Sequence, residues 1–151
     1  MYVITNENPN SAAATLLIEA LSNALTKITG SSGVSSFNLQ DVREDRARFV
    51  VARTVSGTPV GCGAFRPISA SVAEVKRMYA APDTSGVGSA VLRHLEDEAR
   101  SVGYSELWLE TRRVNERAIS FYQRNGYVYI PNFGKYAGNP ETVCLGRTLL
   151  A

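Results

Sequence analysis

Apolar and polar positions change period several times along the chain, and each change marks an element. Tyr2 to Thr5 alternate and predict a short strand. After Asn10 or Ser11, either of which suits a helix cap, Ala14, Leu17, Ile18, Leu21, Leu25 and Ile28 recur at helical spacing, and Gly30 is placed to end that helix. Gly30-Ser31-Ser32-Gly33 and Ser35-Ser36-Phe37, small and polar apart from Phe37, read as a loop; Asn38 to Glu44 makes at most a short helical turn. From Arg46 the period drops to two. Phe49–Ala52, the turn Ser56–Pro59 and Val60–Ile68 predict an antiparallel hairpin, and Ser69-Ala70-Ser71 turns the chain into a third strand, Val72–Ala80.

The stretch Ala73 to Arg100 organises the rest. Its strand stops at Pro82, Gly86-Val87-Gly88 follows, and Val87, Val91, Leu95, Ala99 and Val102 then mark a helix ended by Gly103. Glycines that open a helix directly after a strand leave backbone N–H groups unpaired at the positive end of the helix dipole. Such a turn binds an anion, most naturally a phosphate, and glycine keeps a Cβ from holding the ligand off the amides. An ordinary tight turn would use the same glycines. Tyr104–Glu110 predicts the next strand, reached by a right-handed parallel crossover. Asn115 caps a further helix carrying Ala118, Ile119 and Tyr122 on one side, with Asn125-Gly126 as its stop. Tyr127–Ile130 and Val143–Leu149 are strands, separated by a Pro131–Pro140 loop. There is no internal repeat and no linker, so the pattern predicts one α+β domain over residues 1–151 with a mixed sheet.

Composition narrows the class of function. The chain has 151 residues, 44% hydrophobic and 20% charged, which suits one globular domain with a continuous core. Its net charge of +2 is spread without a Lys/Arg stripe, which argues against a nucleic-acid partner. The longest apolar runs are too short to span a bilayer and no signal-type N-terminus is visible, so a cytoplasmic protein with no membrane partner is expected. Cys62 and Cys144 form no CxxC, and predict buried free thiols rather than a metal site or a disulfide. Gly88-Ser89-Ala90 lacks the lysine of a nucleotide-binding P-loop.

Two stretches carry a resemblance. The strand, glycine turn and helix of Ala73–Arg100 and the segment LETRRVNERAISFYQRNGY, Leu109–Tyr127, are together similar to the GCN5-related N-acetyltransferase (GNAT) family, over about Arg46 to Tyr127. That resemblance implies a mostly antiparallel mixed sheet flanked by helices, with the strand, glycine turn and helix at its centre and a splayed parallel strand pair. It implies acetyl transfer from acetyl-CoA to the amine of a small molecule by direct attack in a ternary complex, with no metal. An acyl-CoA-binding module without turnover, or an enzyme acting on a protein or peptide amine, would share the motifs. Asp83 and Ser85 stand where the family usually carries cationic or amide side chains, and the connection from Pro82 to Gly86 is short, which weakens charge-assisted phosphate contacts.

By resemblance, the backbone amides of Gly86, Val87, Gly88 and Ser89 hold the pyrophosphate, and the pantetheine arm adds to the edge of Met78–Ala80 like a strand. A backbone N–H near Met78 then faces the thioester oxygen. Asn115 contacts the pantetheine, acts as a helix cap, or does both. Tyr122 matches the family's tyrosine that protonates the departing thiolate, although an aromatic on an amphipathic helix also suits a core. Glu74 is similar to the glutamate base of the family's histone-modifying branch, or is a solvated or salt-bridged carboxylate facing Lys76 or Arg77. His94, the single histidine, reads as a surface residue. Arg66, Arg112, Arg113 and Lys135 hint at an acceptor that carries an acidic group beside its amine, and exposed strands near the C-terminus are compatible with a homodimer.

Overall fold

The computed structural model describes residues 1–30 and 45–149; the Phe37 loop and the Asn38–Glu44 turn lie outside them. Its elements are β1 (Tyr2–Asn6), α1 (Ala12–Thr29), β2 (Arg48–Thr54), β3 (Pro59–Pro67), β4 (Val72–Ala80), α2 (Val87–Ser101), β5 (Glu106–Arg112), α3 (Glu116–Arg124), β6 (Val128–Ile130) and β7 (Thr142–Thr148). Ser11, not Asn10, caps α1, accepting from the Ala14 N–H at 3.1 Å. The strand expected from Tyr104 begins two residues later, because Tyr104 is committed elsewhere. Its buried ring meets Phe65 edge-on at 5.7 Å, the Arg46 guanidinium lies over it at 4.0 Å, and its hydroxyl donates to the Arg46 carbonyl at 2.8 Å.

The strands form one seven-stranded sheet in the order β1-β2-β3-β4-β5-β7-β6. Only β4 and β5 are parallel, through Val72–Glu74 against Glu106–Trp108; every other pair is antiparallel. The sheet is therefore mixed and mostly antiparallel, as the α+β expectation had it. Strict alternation along β2 splits its side chains between two layers. Val50 and Ala52 join Phe65, Ala73, Val75, Leu107 and Leu109 under Val91 and Leu95 of α2. Phe49 and Val51 join Cys62 and Ala64 under Ala14 and Leu17 of α1. Strands β2 and β3 thus present one apolar face to α2 and the other to α1, the arrangement that lets a sheet bury both sides.

One charged group is built into the α2 layer. Glu96 is 4% exposed, accepts the Tyr127 hydroxyl at 2.9 Å and pairs with Arg147 of β7 at 3.1 Å, so α2 is tied to the far half of the sheet. Cys62 and Cys144 are both buried free thiols.

Candidate active site

The regular ladder of β4 breaks where the parallel pair ends. Tyr79 faces Cys62 and Lys76 faces Ala64, so Arg77 and Met78 together oppose Gly63: a β-bulge. Arg77 adopts the left-handed region at φ 56, uncommon for a residue with a side chain. The extra residue resets the alternation. Glu74, Lys76 and Arg77 lie toward the α1 face while Val75 and Met78 pack under α2. Gly63 makes room for this, since a Cβ there would lie 2.6 Å from Met78 Sδ and 2.8 Å from Val91 Cγ1. Beyond Glu74, β4 has no paired residue on β5, so the two strands part there.

Beside this opening stands the N-terminus of α2. Gly86 caps it at φ 76, a conformation that favours glycine, and no side chain bonds to the cap. The first amide to reach back is that of Ala90, to the Gly86 carbonyl at 3.0 Å, so the preceding amides begin the helix without an i−4 partner. A Cβ built on Gly86 would meet nothing within 4 Å. Gly88 is different: a Cβ there would press on the Phe121 ring of α3 at 3.1 Å, so its smallness also serves the packing of α2 against α3. The turn before the helix is fixed by the Tyr2 hydroxyl, which donates to the Ser85 carbonyl at 2.6 Å, and by Asp83 at φ 64.

On the α1 face, where β4 and β5 part, lies a buried polar cluster. Glu74 is 2% exposed and is bonded on both carboxylate oxygens: Arg66 Nε at 3.1 Å on one, Lys76 Nζ at 3.8 Å and the donating Tyr136 hydroxyl at 2.8 Å on the other. It is thus a buried, compensated charge rather than a solvated one, and Arg77 is not among its partners. Tyr136 comes from a single 3-10 turn, Gly134–Tyr136, within the predicted Pro131–Pro140 loop. Phe133 and Trp108 continue an aromatic wall from it, with ring centroids 5.3 and 5.2 Å apart in sequence. Glu110 of β5 is the second carboxyl of the cluster. Burial pushes its pKa up, and the Glu74 charge adds to that, against the lowering contact of the Thr142 hydroxyl. Thr142 lies within hydrogen-bonding reach of both Glu110 and the Thr111 carbonyl.

Comparison with known proteins settles the class. Residues 15–127 match the acetyltransferase (GNAT) family. The IAA acetyltransferase of Azospirillum brasilense is 35% identical over 149 residues, covering 97% of each chain. A crystal structure from Klebsiella pneumoniae assigned to the acyl-CoA N-acyltransferases is 31% identical with a TM-score of 0.82, over 99% of both chains. A GNAT structure from Elizabethkingia anophelis with acetyl-CoA bound shares the fold at a TM-score of 0.70 and 18% identity, over 98% of each chain. The chain belongs to the GNAT acetyltransferase family. It is an acetyl-CoA-dependent acetyltransferase, and its uncapped amide turn, open in front of Gly86, fits the phosphates of that cosubstrate.

Within this acetyltransferase the residues singled out in the sequence fall into two groups. Gly86, Val87, Gly88 and Ser89 form the turn and first coil of α2, and Met78 and Ala80 lie on the parted half of β4. Tyr122 lies in the apolar layer between Phe121 and Tyr127, with ring centroids at 5.1 and 5.8 Å; burial raises its pKa, and its hydroxyl bonds to no described residue. Asn115 caps α3, its side chain accepting from the Ala118 N–H at 3.2 Å. Glu74 stands apart from these, on the opposite face of the sheet. His94 is half-buried on α2 and joins neither group. Of the four cations expected on the acceptor side, Arg66 is bonded to Glu74 of the carboxyl cluster and Arg112 acts on Glu110 through its charge. Arg112 pairs with Glu141 at 3.2 Å, Arg113 donates to the Pro140 carbonyl at 3.1 Å, and Lys135 lies over the Tyr136 ring at 5.7 Å. Sequence reasoning missed Glu110, Tyr136 and the bulge. The consecutive cations Lys76-Arg77 between Val75 and Met78 were the available signal for the bulge, because strict alternation would drive Arg77 into the core. No described helix is long and apolar enough to cross a membrane, and no three described His, Cys, Asp or Glu side chains are grouped to hold a metal ion.

Proposed function

We propose that this acetyltransferase acts in the cytoplasm on the amine of a small molecule, by direct attack in a ternary complex. The observation that carries the reading is the end of the β4–β5 pairing at Glu74, which opens a strand edge between the amide turn of α2 and the Glu74–Glu110 cluster. Acetyl-CoA supplies an activated thioester. The amides of Gly86, Val87, Gly88 and Ser89 bind its pyrophosphate, Met78–Ala80 and Asn115 align its arm, and the Met78 N–H meets the thioester oxygen.

The acceptor nitrogen forms its bond to the acetyl carbon as the carbon–sulfur bond breaks. Tyr122 gives its phenolic proton to the leaving sulfur, for which a buried phenol with no hydrogen-bond partner among the described residues is suited. The proton shed by the amine passes to the Glu74–Glu110 pair, directly or through water. The two carboxyls differ in how they are held. Glu74 is bonded to two cations and a hydroxyl, whereas burial raises the pKa of Glu110, which favours uptake of a proton there.

Two measurements test this. Acetyl-CoA raises the melting temperature by mass action, increasingly so as its concentration is raised, and CoA thiol is released in the presence of at least one member of a panel of small amines. Stabilisation without release by any amine, but with release on a peptide carrying a free amine, would replace the small molecule by a protein acceptor. Sedimentation of the purified chain tests the homodimer, for which the exposed Val128 and Tyr129 of the edge strand β6 provide the surface.

A further inference from the structure

The bulge places a long cationic side chain where glycine is favoured, so something must hold it there. Arg77 stands at φ 56 in the middle of the site-forming strand, and the groups around it converge on that one residue. Its guanidinium Nη2 donates to Ser22 Oγ at 2.8 Å and to the Ile18 carbonyl at 3.4 Å, both on α1. Its own carbonyl accepts the Cys62 thiol of β3 at 3.3 Å, and burial pushes that thiol's pKa up to about 12, so it remains a donor at any ordinary pH. Across the ladder, Gly63 leaves the space that Met78 fills. The unbulged alternative would turn Arg77 toward Val91 and Leu95 and leave its charge in an apolar layer.

We propose that Arg77 is a positioning residue: tied to α1 through Ser22, it holds β4 in the bulged form that keeps the Met78 amide out of the β3 ladder and available to the acetyl group. The role rests on the assignment of the Met78 N–H as the donor to the thioester oxygen. It adds that the donor is set from the α1 face of the sheet, by a side chain bonded to helix α1. Helix α1 thereby becomes part of the acetyl site, although it lies on the α1 face with the carboxyl cluster.

The test is isotope-edited infrared spectroscopy of acetyl-CoA labelled with carbon-13 at the thioester carbonyl and bound at saturation. Hydrogen bonding to the carbonyl oxygen weakens the C=O bond and moves its band to lower frequency. Wild type should show that shift relative to free acetyl-CoA. Arg77→Ala removes the tie while keeping a Cβ that disfavours the left-handed region, and its band should return to the free position. Arg77→Gly removes the tie but accepts that region readily, so most of the shift should survive. Ser22→Ala, which shortens the tie from the other side, should fall between wild type and Arg77→Ala. With an accepting amine, the same ranking should appear in kcat with little change in KM for acetyl-CoA. A purely structural role would lower the melting temperature in these variants and leave the band in place. A wild-type band in folded Arg77→Ala would overturn the role of Arg77 alone. If Arg77→Ala does not fold, a wild-type band in Ser22→Ala overturns it, and a partial shift there supports it. No shift in wild type would overturn the Met78 donor itself, and the role of Arg77 with it.

Discussion

The two faces of the sheet use tyrosine in opposite ways. On the α2 face, Tyr122 is surrounded by Phe121 and Tyr127, and its hydroxyl has no bond to any described residue. On the α1 face, Tyr136 donates to a buried carboxylate at 2.8 Å and helps to compensate its charge. Burial raises the pKa of both phenols, and at Tyr136 the Glu74 charge adds to the effect. One hydroxyl is left without a partner among the described residues, while the other is engaged with a carboxylate. Burial and a raised pKa therefore do not by themselves mark a reactive group, because a proton already engaged in the folded protein is not free to move.

Replacing each ring by phenylalanine separates the two roles. Tyr122→Phe should lower the rate of CoA release by about 10- to 1000-fold, in line with a positioned acid, and leave the melting temperature nearly unchanged because no bond to a described residue is lost. Normal turnover would make Tyr122 a packing residue like its neighbours. Tyr136→Phe should do the reverse first: it removes a donor from a buried charge, and urea unfolding should show a loss of about 1.5–3 kcal/mol. An unchanged midpoint would mean that Arg66 and Lys76 suffice for Glu74.

The bulge joins the two faces, and filling the space that permits it should cost stability. Gly63→Ala sets a methyl group against Met78, Val91 and Leu95 and should destabilise by about 1–3 kcal/mol through overpacking. If it does not, Met78 can withdraw, and β4 is less firmly shaped than its contacts imply.

The smallest effect concerns the second carboxyl. The pKa of Glu110 lies above its ordinary value of 4.5, so the folded protein keeps this proton to higher pH than the unfolded chain does. Its stabilising contribution is therefore complete below about 4.5 and is lost as pH rises through the folded value. Glu110→Gln cannot ionise. Its melting temperature should gain on wild type, by a few degrees at most, as pH is raised from 4.5 toward neutrality. A constant difference across that range would show that the carboxyl is not strained by its surroundings.

Legibility divides along the same faces. The α2 side was readable because its signals are periodic or local: apolar spacing marked α2, Gly86-Val87-Gly88 marked the amide turn, and Asn115 marked the start of α3. Glu74 could be flagged, yet its environment could not, because its partners come from β3, from its own strand and from the turn at Tyr136, sixty-two positions away. Glu110 carried no local signal at all. It became conspicuous only when the antiparallel pairing of β5 with β7 set Thr142 beside Arg112 and brought that hydroxyl against the Glu110 carboxyl. Gly88 was legible as a glycine needed for close approach, but Phe121 as a neighbour was not.

By itself the sequence determined the order of helices and strands, the strand, glycine turn and helix, and through these motifs the family and its cosubstrate. Such features are set within a few residues of each other, by period, by turn chemistry and by the backbone freedom of glycine. Tertiary structure decided the insertion of β7 between β5 and β6, the parting of β4 from β5 after Glu74, the left-handed Arg77 tied to α1, and the pairing of two carboxyls on one face. Each of these depends on which distant strands become neighbours, and burial raises or compensates a charge only after that choice has been made.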